Sequence, residues 1–157
     1  MTDSTIGILG LGAYVPDRVM TNDEWAEHVD TSDDWIFTRT GIKNRRIAAD
    51  DQTTVDLAAA AAKAALGDAG TEIEEIDEII VATDTPEVYI PDTASYLQNR
   101  LGAREVPAFD LAGSGCAGFI LGLDVARSRA QAGDRKVLLV GVELLTRLMD
   151  WTDRETC

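Results

Sequence analysis

Cys116 is the residue in this chain best placed to do covalent chemistry. It stands in AFDLAGSGCAGFILGLDVARSRAQAG, residues 108–133, where a short β-type run ends at Asp110 and a small-residue turn passes through Gly113, Ser114 and Gly115. Cys116 then opens an apolar helix that closes at Gly133. A thiol at a helix N-terminus meets unpaired N–H groups and the positive end of the helix dipole, both of which favour the thiolate, the nucleophilic form. The flanking glycines permit backbone angles and close approaches that a Cβ forbids, which suits a carbonyl held against backbone N–H donors. A lone cysteine in an apolar helix is more often a small hydrophobe in a core. The order of strand, glycine turn and helix reverses that preference here.

A second candidate group lies in TSDDWIFTRTG, residues 31–41, a capped helix stopped by Gly41. Trp35 and Arg39 are four residues apart and share one face of it. An indole beside a guanidinium is equally a cation–π pair within the fold or a stacking surface for a ligand. The following IKNRRI, residues 42–47, is the most basic stretch in the chain and suits either a phosphate-bearing ligand or a solvated strand edge. His28, the single histidine, sits on an early acidic helix and reads as a surface residue. Gly10-Leu11-Gly12 does not make a dinucleotide loop, because the third glycine is missing and Pro16 arrives where a phosphate-binding helix should begin.

The elements that must position these residues follow from pattern and punctuation. Residues 5–12, TIGILGLG, predict a short buried strand. Thr21 or Asn22 caps a helix near residues 22–29 whose Trp25 and Val29 face inward. Residues 53–69 predict the clearest helix, capped by Thr53 or Thr54 and filled with alanines that imply close packing between layers. IDEIIVAT at 76–83 and KVLLVGV at 136–142 are buried strands, and a helix runs from Pro91 to Leu101 with Gly102 as its cap. Continuous apolar strands separated by helices predict an α/β fold with a mostly parallel sheet covered on both faces. Active sites in such sheets lie at the carboxyl ends of the strands, where Cys116 falls.

The totals narrow the function. The chain has 157 residues, 45% of them hydrophobic, enough for one ordinary domain with a real core. A net charge of −14 with no basic cluster beyond Arg45-Arg46 argues against nucleic acid as the main partner. Cys116 and Cys157 lack metal-binding or disulfide spacing, so no metal site is expected. Neither a signal peptide nor a run of about 18 apolar residues is present, and a reduced cytoplasm is the expected location.

Four segments together resemble the N-terminal half of a β-ketoacyl-acyl carrier protein synthase III, a thiolase-fold condensing enzyme: GLGAYVPDRVMTN at 10–22, DTSDDWIFTRTGIKNRRIA at 30–48, PAFDLAGSGCAGF at 107–119 and GVELLTRLMDWTDRETC at 141–157. They occur in family order and cover essentially the whole chain. The resemblance implies a thiolase-like, layered α-β-α fold of two similar halves, with residues 1–157 as the N-terminal half and the C-terminal half absent. It implies initiation of type II fatty acid synthesis, in which an acyl-CoA acylates Cys116 and malonyl-acyl carrier protein then condenses with the acyl group. The implied CoA-binding residues are Thr31, Trp35, Arg39 and Arg154, with Trp35 and Arg154 sandwiching the adenine. Ile90 matches the position that reaches across the family's dimer interface to shape the partner's acyl pocket, and its aliphatic side chain hints at a primer larger than acetyl.

The same resemblance implies a cytoplasmic homodimer that needs no cofactor beyond its acyl-CoA substrate. It also implies that the histidine and asparagine acting on malonyl thioester belong to the second half, so this half alone is expected to be inactive. The end at DRETC reads as that of a fragment or cleaved chain. Two other readings stand beside this one: a related acyltransferase of secondary metabolism, and a non-catalytic interaction module. Between Asp110 and Cys116 the chain carries one residue more than the family pattern, with GSG in place of alanine-like residues. A basic surface for the acidic carrier protein is expected to draw on Lys43, Arg45 and Arg46.

Overall fold

Short polar side chains decide where the first helices begin. In the computed structural model, which describes residues 6–133 and 135–155, β1 (Arg18–Thr21) leads into α1 (Asn22–Ala26), and the Thr21 hydroxyl accepts the Glu24 N–H at 3.2 Å. Ser32 caps α2 (Asp33–Thr40) in the same way at 3.1 Å, and Gly41 ends it. β2 (Asn44–Ile47) returns antiparallel to β1, with Val19 opposite Arg46.

These elements, within Val15–Gln52, form one compact unit together with the segment from Leu144 onward. Its core is Met20, Trp25, Val29, Ile36 and Ile47, with Met149 and Trp151 packed against it. Trp25 and Val29 face inward as the sequence predicts, although α1 stops at Ala26. Asn22 is buried, and its amide is saturated: Nδ2 donates to Asp33 Oδ1 at 2.8 Å and to the Ile42 carbonyl at 2.7 Å, while Oδ1 accepts from Arg45 at 2.9 Å. A buried amide so fully bonded pins the helix to the ribbon without leaving a desolvation penalty.

The second unit holds the residues up to Tyr14 and Thr53–Glu143. α3 (Thr54–Ala69) begins with a capping box: Thr53 Oγ1 accepts the Asp56 N–H at 3.1 Å and Asp56 accepts the Thr53 N–H at 3.0 Å. β3 (Glu78–Ala82) follows, then α4 (Thr93–Leu101), β4 (Ala108–Leu111), α5 (Gly118–Gln131) and β5 (Val137–Gly141). β3 is central and parallel to both neighbours, with Ile80 opposite Phe109 on one side and Leu139 on the other. The chain moves one way from β3 through α4 to β4, then back past β3 through α5 to β5. With the right-handed crossovers that parallel strands require, this order assigns α4 and α5 to opposite faces; α3 packs along α4. The parallel sheet covered by helices is as expected. Ile79, Ile80 and Val81 are fully buried, each worth about 1.5–3 kcal/mol of burial.

One expected element is not there. Residues 6–12 form no strand, and Ile8, Leu9 and Leu11 are exposed. The Leu11 N–H is taken by the Asp68 side chain at 2.9 Å instead of by a strand. Gly10 and Gly12 lie directly on the backbone of α3. The apolar run therefore packs on a helix. Thr5 lies outside the described residues.

Asp77 ties the entry of β3 to that of β5. Its carboxylate accepts the Lys136 N–H at 3.0 Å and pairs with Arg104. The Lys136 N–H above all, then Arg104, holds this carboxyl below the usual carboxylate range. A carboxyl lowered by folding stabilises the fold above its unfolded-state pKa of about 4, and that contribution disappears as pH falls through the lower folded-state value. Asp77→Asn is expected to flatten the acid loss of stability below about pH 4 in an unfolding titration. An acid limb identical to the wild type's would remove this account. Among the described residues no helix is long and apolar enough to cross a membrane.

Candidate active site

Beyond β4 the chain turns through Gly113 and Gly115, at φ 77° and 51°, left-handed angles that strain any residue bearing a Cβ. Cys116 follows in a single 3-10 turn, Gly115–Ala117, closed by the Ala117 N–H on the Ser114 carbonyl at 3.1 Å. α5 begins only at Gly118. The thiol thus precedes the helix, whereas the sequence predicts that it opens it. The tight turn takes up the residues between strand and helix. Cys116 is free and exposed.

Three carboxylates that the sequence reading did not single out stand at the carboxyl ends of the strands. Asp84, two residues past β3, accepts the Gly115 N–H at 2.7 Å on one oxygen and the Gly113 N–H on the other. Glu143, two residues past β5, accepts the Asp84 N–H at 2.7 Å and the Thr85 hydroxyl at 2.9 Å. Asp110, in β4, accepts the Thr93 and Ala94 N–H groups, both at 2.8 Å, and so caps α4. An acidic residue directly after an apolar strand was the available signal.

The other unit gathers the aromatic and basic candidates. Trp35 is 40% exposed, with the Arg39 guanidinium 4.4 Å from its ring centre and that of Arg154 at 4.6 Å. Arg154 Nε also donates to the Asp30 carbonyl at 2.7 Å. Thr31, just before α2, is half-buried, and its Oγ1 is enclosed without a hydrogen-bond partner. Ile90 belongs to the same unit as Cys116, on a loop where it is 87% exposed.

Of the three residues expected to form a basic surface, Arg45 is half-buried, while Lys43 and Arg46 are exposed. Arg45 lies over the Trp25 ring at 4.2 Å and bonds Asn22, and burial pulls its guanidinium below its ordinary pKa. Arg46 donates to the Pro16 carbonyl at 2.9 Å. Lys43 sits 5.4 Å from the Phe37 ring. His28 is exposed beside Trp151, as its place in the sequence predicts.

Residues 109–157, which contain the Cys116 turn and Arg154, match the family described as 3-oxoacyl-[acyl-carrier-protein (ACP)] synthase III. A β-ketoacyl-[acyl-carrier-protein] synthase III of Xanthomonas euvesicatoria is 52% identical over 151 residues, which is 96% of this chain and 46% of that protein. The chain belongs to the β-ketoacyl-[acyl-carrier-protein] synthase III family. Another family member, from Caldanaerobacter subterraneus, is 50% identical over 152 residues, again 96% of this chain and 46% of the relative. The crystal structure of the synthase III of Aquifex aeolicus superposes with a TM-score of 0.90 at 48% identity, covering 96% of this chain and 48% of that one. The chain spans about half the length of the synthase III relatives it matches, and its fold is thiolase-like, as the resemblance implied.

Proposed function

We propose that this chain supplies the nucleophile and the CoA-recognition residues of a condensing enzyme that initiates type II fatty acid synthesis. The observation that carries the reading is the exposed Cys116 at the carboxyl end of a parallel sheet, on a turn whose Gly115 N–H donates to the Asp84 carboxylate. In the first step the Cys116 thiolate attacks the acyl-CoA thioester carbonyl; a new thioester forms and CoA leaves as its thiolate, which takes up a proton. In the second, malonyl-acyl carrier protein loses carbon dioxide, and the resulting carbanion displaces Cys116 to give the β-ketoacyl-acyl carrier protein. The histidine and asparagine for that step belong to the C-terminal half of the whole protein, which is a cytoplasmic homodimer and uses no cofactor other than its acyl-CoA substrate.

Trp35 supports the CoA assignment. A purine stacks on an indole, and guanidinium groups suit both an adenine face and the CoA phosphates. With Arg154 at 4.6 Å, no purine fits between it and the ring, so adenine binding swings Arg154 outward by about the thickness of one ring, ~3.4 Å. Thr31 and Arg39 contact the nucleotide end, and Ile90 shapes the acyl pocket of the partner subunit.

The test is peptide mass spectrometry after incubation with a short acyl-CoA. In the whole protein, with its C-terminal half, a hydroxylamine-sensitive acyl adduct on the Cys116 peptide is expected, and its absence at saturating acyl-CoA would sink the reading. Trp35→Ala is expected to raise the half-saturating acyl-CoA concentration about five-fold, which corresponds to ~1 kcal/mol of stacking. An unchanged value would remove Trp35 from the CoA site.

A further inference from the structure

The first residues of the loop after β3, 83–87, take no part in the chemistry described above, yet they are bonded to α3, to Glu143 just past β5 and to the nucleophile turn. Thr85 accepts the Thr54 hydroxyl of α3 on its carbonyl at 2.7 Å, and Glu87 accepts the Val55 N–H at 3.0 Å. Glu143 holds the Asp84 N–H and the Thr85 hydroxyl from the end of β5. Asp84 in turn extends its carboxylate to the N–H groups of Gly113 and Gly115. One carboxylate thus bridges both left-handed residues of the turn that delivers Cys116.

That turn needs a clamp. Gly-Ser-Gly is the composition with the most backbone freedom to lose on folding, and two of its three residues adopt angles that glycine alone takes readily. Paired N–H groups around a carboxylate form charge-assisted bonds, stronger than neutral ones. Carboxylate and turn come from loops after two adjacent strands, so the bond pair fixes the turn to the end of the sheet. A misplacement of about 1 Å at a nucleophile lowers the rate of an oriented reaction by ~100-fold, while an attack that needs no fixed orientation is little affected.

We propose that Asp84 is a positioning residue: its carboxylate, itself set by Glu143, holds Gly113 and Gly115 and so fixes the direction of the Cys116 thiol. This rests on Cys116 being the nucleophile for acyl-CoA. Three readouts on the purified protein test it, with Asp84→Ala, Asp84→Asn and, as a matched control, Asp77→Asn, which alters a carboxylate that bonds backbone at the opposite end of β3. Hydrogen exchange of the peptide spanning residues 111–117 is expected to quicken at least ten-fold in Asp84→Ala and not in Asp77→Asn. The maximal rate of Cys116 acylation is expected to fall 10- to 100-fold with the half-saturating acyl-CoA concentration unchanged. Iodoacetamide labelling of Cys116, which needs no orientation, is expected to stay within about two-fold. Asp84→Asn keeps one acceptor oxygen and is expected to recover part of both protection and rate.

Unchanged exchange in Asp84→Ala overturns the proposal whether or not the protein acylates. Quickened exchange with an unchanged acylation rate overturns it too, as does an equal loss of rate in Asp77→Asn. A wild-type Cys116 that takes no acyl group at all counts against the acyl-transfer reading, and the clamp is then judged on exchange alone.

Discussion

Cys116→Ser in the whole protein is expected to abolish the acyl adduct, lowering acyl transfer from acyl-CoA by ~1,000-fold or more, because an alcohol gives almost no nucleophilic anion at neutral pH where a thiol gives some. The stability of the fold should change by less than about 0.5 kcal/mol, since Cys116 is exposed and the turn around it is held by backbone groups and Asp84, not by sulfur. The two outcomes are separable in one preparation: intact mass after incubation with acyl-CoA reports the adduct, and thermal melting reports the fold. A serine variant that still acquires the acyl group on that peptide would rule out the covalent route. A variant that fails to melt cooperatively would show that the thiol has a packing role absent from the structure.

The second large effect is on stability. Gly12→Ala is expected to destabilise the chain by about 3 kcal/mol, lowering Tm by about 6–12 °C. A Cβ at Gly12 lands on the backbone nitrogen of Ala65 and the carbonyl of Ala61 in α3, well inside van der Waals contact. At Gly10 it falls 2.5 Å from the Ala69 nitrogen and 2.7 Å from the Ala65 carbonyl. Helix backbone cannot step aside as a flexible side chain does, so the terminal segment must lift away. Gly7→Ala is the control, because nothing stands within 4 Å of its Cβ, and it should melt with the wild type. If Gly12→Ala also melts with the wild type, the close packing of this segment on α3 is wrong.

The same contact shows how an apolar pattern misleads. TIGILGLG has the composition of a buried strand, and nothing local distinguishes that from a glycine-studded segment lying on an alanine-rich helix. The alanines of 53–69 did announce close packing between layers. What they could not announce was the partner, since Leu11 and Asp68 are joined across a separation of 57 residues. Arg45 is a similar case. A basic residue in IKNRRI reads as a surface charge, but Trp25 and Asn22 capture it, and its guanidinium lies half-buried over a buried indole. Glu78 adds a third: it reads as one residue of a buried strand, and in the fold its carboxylate is 1% exposed, with Arg129 at 3.4 Å and Arg135 at 3.9 Å. Those arginines come from α5 and the residues after it, invisible from the strand itself.

By itself the sequence determined the helix boundaries that depend on caps, the parallel order implied by apolar strands between helices, and the place of Cys116 in a glycine turn between strand and helix. Each of these is written within a few residues, because capping, periodicity and glycine conformation act over one or two turns of chain. Only the tertiary structure decided that the thiol precedes its helix, that Arg39 stacks on Trp35 as a cation–π pair within the fold, and that Asp84 and Glu143 govern the turn. Those bonds link residues 29 and 59 positions apart. A carboxylate at a strand end has many donors open to it, and the packing of parallel strands side by side selects which ones it meets.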